Sequence, residues 1–157
     1  MTWRSGREEE GFYILEGAIT FTIGDKRLVA SKEQGMTTIG NHMKFNVHKS
    51  LRERVRSFYV DVLQCTTMPS PAPNLDLYLF TDKFVLGVFF CDEGEGLSEE
   101  DHLKAAWLEI KTKDVQALKQ RLVEFGVKEV EYADKSRFYF QAPGGQVFRL
   151  APEDGGI

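Results

Sequence analysis

The sequence predicts an α+β fold: two β–α–β–β–β units with a β-hairpin ahead of them. Three observations predict it. A strand–helix unit occurs twice, first as Lys44-Phe45-Asn46-Val47 followed by residues 50–63, then as Trp107-Leu108-Glu109-Ile110 followed by residues 114–127, with Ser50 aligned on Asp114. Three short β-rich runs separated by turn residues follow each helix, or two and a proline-broken loop in the first half. Residues 1–35 are patterned differently, with alternating Thr and apolar residues. A repeated unit cannot bury its apolar face alone, so the two halves are expected to be built around each other.

The hairpin comes first. Gly11 to Leu15 and Ile19 to Ile23 flank Glu16-Gly17, and Gly24-Asp25 marks a further turn. Residues 1–35 therefore read as a hairpin fragment, 36–42 as a polar linker with Gly40, and 43–157 as the main domain. Ser50 with Glu53 three residues later reads as a capping box that starts the first helix. Leu51, Val55, Phe58, Tyr59, Val62 and Leu63 form its apolar stripe. Pro69, Pro71 and Pro73 make a loop. Leu75 to Phe80 and Phe84 to Cys91 read as strands turned by Thr81-Asp82-Lys83. The acidic stretch 92–101 has no periodicity and reads as a solvated loop. Asp114 caps the second helix, Val115, Leu118, Leu122 and Phe125 line its buried side, and Gly126 ends it. Strands at 129–132, 137–141 and 146–150 follow, the last two turned by Pro143-Gly144-Gly145.

Size and composition fit one ordinary globular domain: 157 residues, 42% hydrophobic and 28% charged. Twelve Phe and five Tyr suit a sheet-rich core. A net charge of −4 with no basic stripe argues against nucleic acid. Apolar runs fall short of the roughly 20 residues that span a bilayer, and the start Met-Thr-Trp-Arg has no signal-peptide core. The expected place is the cytoplasm, where Cys65 and Cys91 would be free thiols. Neither cysteine has a positioned histidine, so a nucleophilic role is not expected.

The segments 56–63 (Arg-Ser-Phe-Tyr-Val-Asp-Val-Leu) and 141–150 (Gln-Ala-Pro-Gly-Gly-Gln-Val-Phe-Arg-Leu) resemble the vicinal oxygen chelate superfamily, which includes glyoxalases, bleomycin-resistance proteins and extradiol dioxygenases. The likeness runs from about residue 43 to 152. It implies two βαβββ motifs whose curved sheets enclose a cleft, commonly in a homodimer. Residues 10–25 resemble the first motif of the cupins, with Glu10 and Gly17 at its spacing. The histidines of that motif would fall on Trp3 and Ser5, and no second motif follows. That resemblance implies a fragment without a metal site, either a fusion remnant or a reused cover.

In the superfamily, metal ligands commonly come from the first strand of each half, the fourth strand and the last. Those positions hold Lys44, the Gly87–Phe89 region, Trp107 and Arg149 here, none of them a histidine or carboxylate. A divalent cation needs imidazole, carboxylate or thiolate donors. Two cationic side chains roughly 5 Å from it would repel it by several kcal/mol. No metal cofactor is therefore expected. Strand alternation puts Lys44 with Asn46 and His48, Trp107 with Glu109 and Lys111, and Val147 with Arg149 on the cleft side, leaving Phe45, Val47, Leu108, Ile110, Phe148 and Leu150 for the core. The expected ligand-binding set is Lys44, Asn46, Phe89, Trp107, Glu109, Tyr139 and Arg149. An indole beside a guanidinium suits a planar or anionic small molecule; equally, Trp107, Arg149 and Glu109 could pair among themselves and fill the space. Bleomycin-resistance proteins, which sequester a ligand without chemistry, are the functional model. The alternative is a metal-dependent lyase or dioxygenase, with a divalent metal on His42, His102 and an acid such as Glu109 or Asp92. A third reading has the protein acting through its surface, with the hairpin as adaptor.

Overall fold

A computed structural model of the protein describes residues 18–23, 26–31 and 39–154. The chain divides into two units, Met1–Gly40 and Asn41–Ile157. In the first, β1 (Ala18–Ile23) pairs antiparallel with β2 (Lys26–Ser31), Ile23 opposite Lys26. This pairing brackets positions 24 and 25, where the sequence reads a further turn; the runs expected to flank Glu16-Gly17 include residues 11–17, which lie outside the described residues.

The second unit carries two four-stranded sheets of matching design. The first half contributes β3 (His42–His48), β4 (Thr66–Met68), β5 (Leu75–Leu79) and β6 (Val85–Cys91), ordered β3-β6-β5-β4. The second contributes β7 (Trp107–Thr112), β8 (Lys128–Glu129), β9 (Phe138–Gln141) and β10 (Val147–Pro152), ordered β7-β10-β9-β8. In each, the first strand lies parallel to the fourth and the other pairs are antiparallel. This is the βαβββ arrangement twice over. Of the expected 129–132 strand, only Glu129 pairs in β8. One further bond, Val130 N to Tyr139 O at 2.9 Å, continues that edge.

The helices differ from each other. The second, α3 (Val115–Phe125), starts and stops as its residues predict. Asp114 Oδ1 accepts from Ala117 N at 2.9 Å, and Gly126 closes the helix at a φ of 84°. The first is built in three pieces: a 3₁₀ turn at Lys49–Leu51, α1 (Arg52–Ser57), and a π-helical turn at Phe58–Val62. Ser50 is not its cap. His48 Nδ1 accepts from Ser50 N at 3.3 Å, and Glu53 turns to Arg56 instead of closing a box. The wider π turn lets the bulky neighbours Phe58 and Tyr59 both be fully buried. A short helix, α2 (Glu99–His102), interrupts the acidic stretch expected to be loop. Ser98 caps it, its oxygen accepting from Asp101 N at 3.1 Å and donating to the Asp101 carboxylate at 2.7 Å.

One core serves both halves. Phe58 packs against Phe125, Phe140 and Phe148 of the second half, with centroids 5.7, 6.3 and 6.5 Å away. Phe45 and Val47 from β3 join Ile110, Phe148 and Leu150 in the same buried cluster. Each sheet thus turns one face to the core and the other outward, and the outward faces carry the polar and charged side chains considered below. Among the described residues, no helix is long and apolar enough to cross a membrane.

Candidate functional site

Alternation along β7 and β10 buries Leu108, Ile110, Phe148 and Leu150 in or against the core. It leaves Trp107, Glu109, Val147 and Arg149 on the opposite face of the sheet. Parallel pairing sets Trp107 beside Val147 and Glu109 beside Arg149, while Tyr139 of β9 lies opposite Arg149. The side chains meet. Arg149 Nε donates to Glu109 Oε2 at 2.8 Å, and its Nη2 donates to the same oxygen. The Arg149 guanidinium sits 4.5 Å from the Trp107 ring centroid. Trp107 meets Tyr139 edge to face at 5.9 Å. Tyr132 stacks on Tyr139 at 4.5 Å with the planes 14° apart. Lys111 reaches Glu109 at 3.8 Å. The Glu109 carboxylate, then the Tyr139 hydroxyl, hold Arg149 above its ordinary pKa, so it is a permanent cation.

This face is a guanidinium fixed between an indole and a carboxylate, with two stacked phenols beside it. A guanidinium has five N–H donors in one plane. Glu109 takes two of them. What remains is a flat surface with directional donors, suited to stacking and to charge-assisted hydrogen bonds. Tyr132 is absent from the sequence-derived set although the sequence reads it as the last residue of the 129–132 strand. The antiparallel register that carries Val130 to Tyr139 is the signal that places it here.

The other expected site residues lie on the first sheet. Lys44 and Asn46 share the outward face of β3, opposite Gly87 and Phe89 of β6. Lys44 Nζ lies 5.1 Å from the Phe89 centroid. Lys44 and Asn46 also line a groove with residues 95–97 and 102, whose lining does not include Trp107 or Arg149. The expected set therefore falls on two sheets: Trp107, Glu109, Tyr139 and Arg149 on one, and Lys44, Asn46 and Phe89 on the other. Alternation fixes which face each residue takes but not how the two sheets are disposed.

The alternative metal set is not assembled. His42 is exposed at the start of β3, His102 is buried in α2 against Phe45, and Glu109 is committed to Arg149. Asp92 pairs with Lys49. Among the described residues, no group of three His, Cys, Asp or Glu side chains comes together that could hold a metal ion. Lys44, Trp107 and Arg149, an ammonium, an indole and a guanidinium, offer no donor suited to a cation either. Cys65 and Cys91 are both buried free thiols. Burial pushes the Cys65 thiol up to about 12, which leaves it unreactive at neutral pH.

The doubled βαβββ topology is shared with solved structures of low sequence identity. A possible glyoxalase from Bacillus cereus is 19% identical, with a TM-score of 0.54 over 72% of this chain and 98% of that one. An antibiotic-binding protein from Streptomyces sp. CB03234 is 20% identical, with a TM-score of 0.51 over 74% and 98%. This is the vicinal oxygen chelate fold. A fosfomycin resistance protein variant from Listeria monocytogenes, complexed with Mn(II) and 1S,2S-dihydroxypropylphosphonic acid, is 13% identical with a TM-score of 0.55 over 73% and 90%. No protein-family model and no curated protein matches the chain. Within the vicinal oxygen chelate fold, the strand register of this chain gives Trp107 and Arg149 the outward places on β7 and β10.

Proposed function

We propose that this protein binds a small planar organic molecule on the Trp107–Arg149–Tyr139 face and does so without a metal. The observation that carries the reading is the Arg149 guanidinium held 4.5 Å over the Trp107 ring by Glu109. A planar anion stacks on such a surface and accepts from the remaining guanidinium donors. The fold neighbours support small-molecule binding as a class: one binds an antibiotic, another is complexed with a dihydroxypropylphosphonic acid.

Titration with 2-naphthoate, followed through the Trp107 indole N–H resonance, tests the reading. A saturable shift is expected, weakened at least tenfold in Arg149→Gln, since a hydrogen bond from a charged group is worth about 1.5–3 kcal/mol. An unmoved indole resonance would count against it. So would stoichiometric Ni, Zn, Fe or Mn in the purified protein, which would restore the lyase or dioxygenase alternative.

A further inference from the structure

A pocket of about 620 Å³ lies where α1 meets β4, β5 and the loop that joins them. That volume falls in the range of roughly 300–1,000 Å³ typical of small-molecule sites. Pro69, Pro71 and Pro73 fix the loop backbone. Ser70 Oγ donates to Ala72 O at 2.9 Å and accepts from Ala72 N at 3.3 Å, which ties this wall in place. Arg52 and Arg56 of α1 line the pocket together with Asp76 of β5. Asp76 orients both arginines. Arg52 gives it Nη2 at 2.6 Å and Nε at 3.5 Å, and Arg56 gives it Nε at 2.8 Å and Nη2 at 3.3 Å. The Arg52 guanidinium is also packed on the Phe90 ring, 4.9 Å from its centroid. Each guanidinium therefore meets the carboxylate through its Nε–Nη2 edge, which leaves the Nη1 end for another partner. Among the described residues, the one acceptor at either Nη1 is the exposed Glu53 carboxylate, 3.5 Å from that of Arg56. The Arg52 and Arg56 side chains are 30% and 46% exposed against 11% for Asp76, so a guest reaches the cations more readily than the anion that holds them.

Two guanidiniums and one carboxylate leave a single positive charge. A guest carboxylate matches that count, and its paired oxygens match the paired N–H donors of a guanidinium end. Met68, Pro71, Pro73, Leu75 and Leu77 make the rest of the lining largely apolar, and no aromatic ring is part of it. Such a wall suits a flexible aliphatic chain, where the Trp107–Arg149 face suits a ring. We infer that this pocket binds an unbranched aliphatic carboxylic acid in its ionised form, its carboxylate on Arg52 and Arg56 and its chain along Met68, Pro71 and Leu77. The pocket shares no residue with the Trp107–Arg149 face, so neither assignment depends on the other.

Calorimetric titration of the full chain with octanoate, butanoate and octan-1-ol tests this. Octanoate should bind saturably. Butanoate, which has a shorter chain to bury, and octanol, which has no charge, should each bind at least tenfold more weakly. Arg56→Gln keeps the Arg52–Asp76 pair and should weaken octanoate at least tenfold while leaving octanol unchanged. Met68→Glu, at an exposed edge position, sets a negative charge on the apolar wall and should weaken octanoate by at least the same factor. In the NMR spectrum, octanoate should move the Arg52 and Arg56 Nε–H resonances and not the Trp107 indole N–H. The inference is overturned by absence of saturable heat, by butanoate or octanol binding as tightly as octanoate, or by a Met68→Glu protein that binds octanoate like the parent. That last readout decides the matter even if Arg56→Gln does not fold.

Discussion

Tyr59 is fully buried, stacked 4.6 Å from Tyr78, and its hydroxyl has no hydrogen-bond partner. A buried hydroxyl without a partner carries a desolvation cost of about 1–3 kcal/mol. Tyr59→Phe removes that cost and keeps the ring, so it should stabilise the protein by about 1 kcal/mol. Urea unfolding of the pair measures it, and a clear loss of stability would show that the hydroxyl is paired in solution. The turn before β10 makes the opposite demand. Gly144 has a φ of 94°, and a Cβ added there would lie 2.6 Å from Val47 Cγ2. Gly144→Ala therefore meets both backbone strain and a core strand, and should cost about 2–3 kcal/mol by the same assay. The sequence marks this turn through Pro143-Gly144-Gly145. Its chemistry alone does not reveal that the turn packs on β3 of the other half, because that contact depends on the tertiary path and not on local residues.

Element by element, what was legible follows from local physics. Alternation along β3, β7 and β10 assigned the core and outward faces correctly, since period-2 patterning needs no knowledge of the partner strand. The caps of α3 were legible for the same reason. The π turn was not, because it answers to crowding between Phe58, Tyr59 and the opposite sheet. The helix α2 was missed although Ser98 and Asp101 carry a cap signature, because the acidic run around them reads as solvent-facing. At the site, the expected residues fall into one group on each sheet, since sequence gives faces before it gives distances between sheets. One element contact makes a pH prediction. Arg52 and Arg56 clamp Asp76 of β5 at 2.6 and 2.8 Å, tying α1 to its sheet, and Tyr78 donates to the same carboxylate at 3.2 Å. Burial works to raise the Asp76 pKa, but the Arg56 and Arg52 guanidiniums overcome it and hold the carboxyl below its ordinary value of 3.8. A depressed folded pKa stabilises the protein fully above the unfolded value and is lost as pH falls through the folded one. The melting temperature of the parent should thus drop more steeply below about pH 4 than that of Asp76→Asn, which at neutral pH should already be weaker by about 1–3 kcal/mol. Parallel melting curves from pH 7 to 2.5 check this, and identical acid slopes would remove the clamp from the account.

For the whole molecule, the deciding feature is that neither half owns its core. Phe58 belongs to the first half by sequence, yet its ring is enclosed by Phe125, Phe140 and Phe148 of the second. Both sheets lay their apolar faces on one buried cluster. Independent folding of residues 41–106 would leave Val55, Phe58 and Phe45 without their cover, so that fragment should not fold alone. Phe58→Ala in the Asn41–Ile157 unit should cost about 3–5 kcal/mol, the range for a fully buried phenylalanine. Because the lost contacts join the halves, the weakened protein should still unfold in one transition. Tyrosine and tryptophan signals report on different strands, and their melting curves should coincide in both parent and variant. If the Trp107 signal melted apart from the far-ultraviolet signal, the halves would be separable bodies and the doubled motif would be two domains in series. Coincident curves, with a fragment that stays unfolded, would establish that duplication here built a single cooperative unit whose outward sheet faces are free to carry different chemistry.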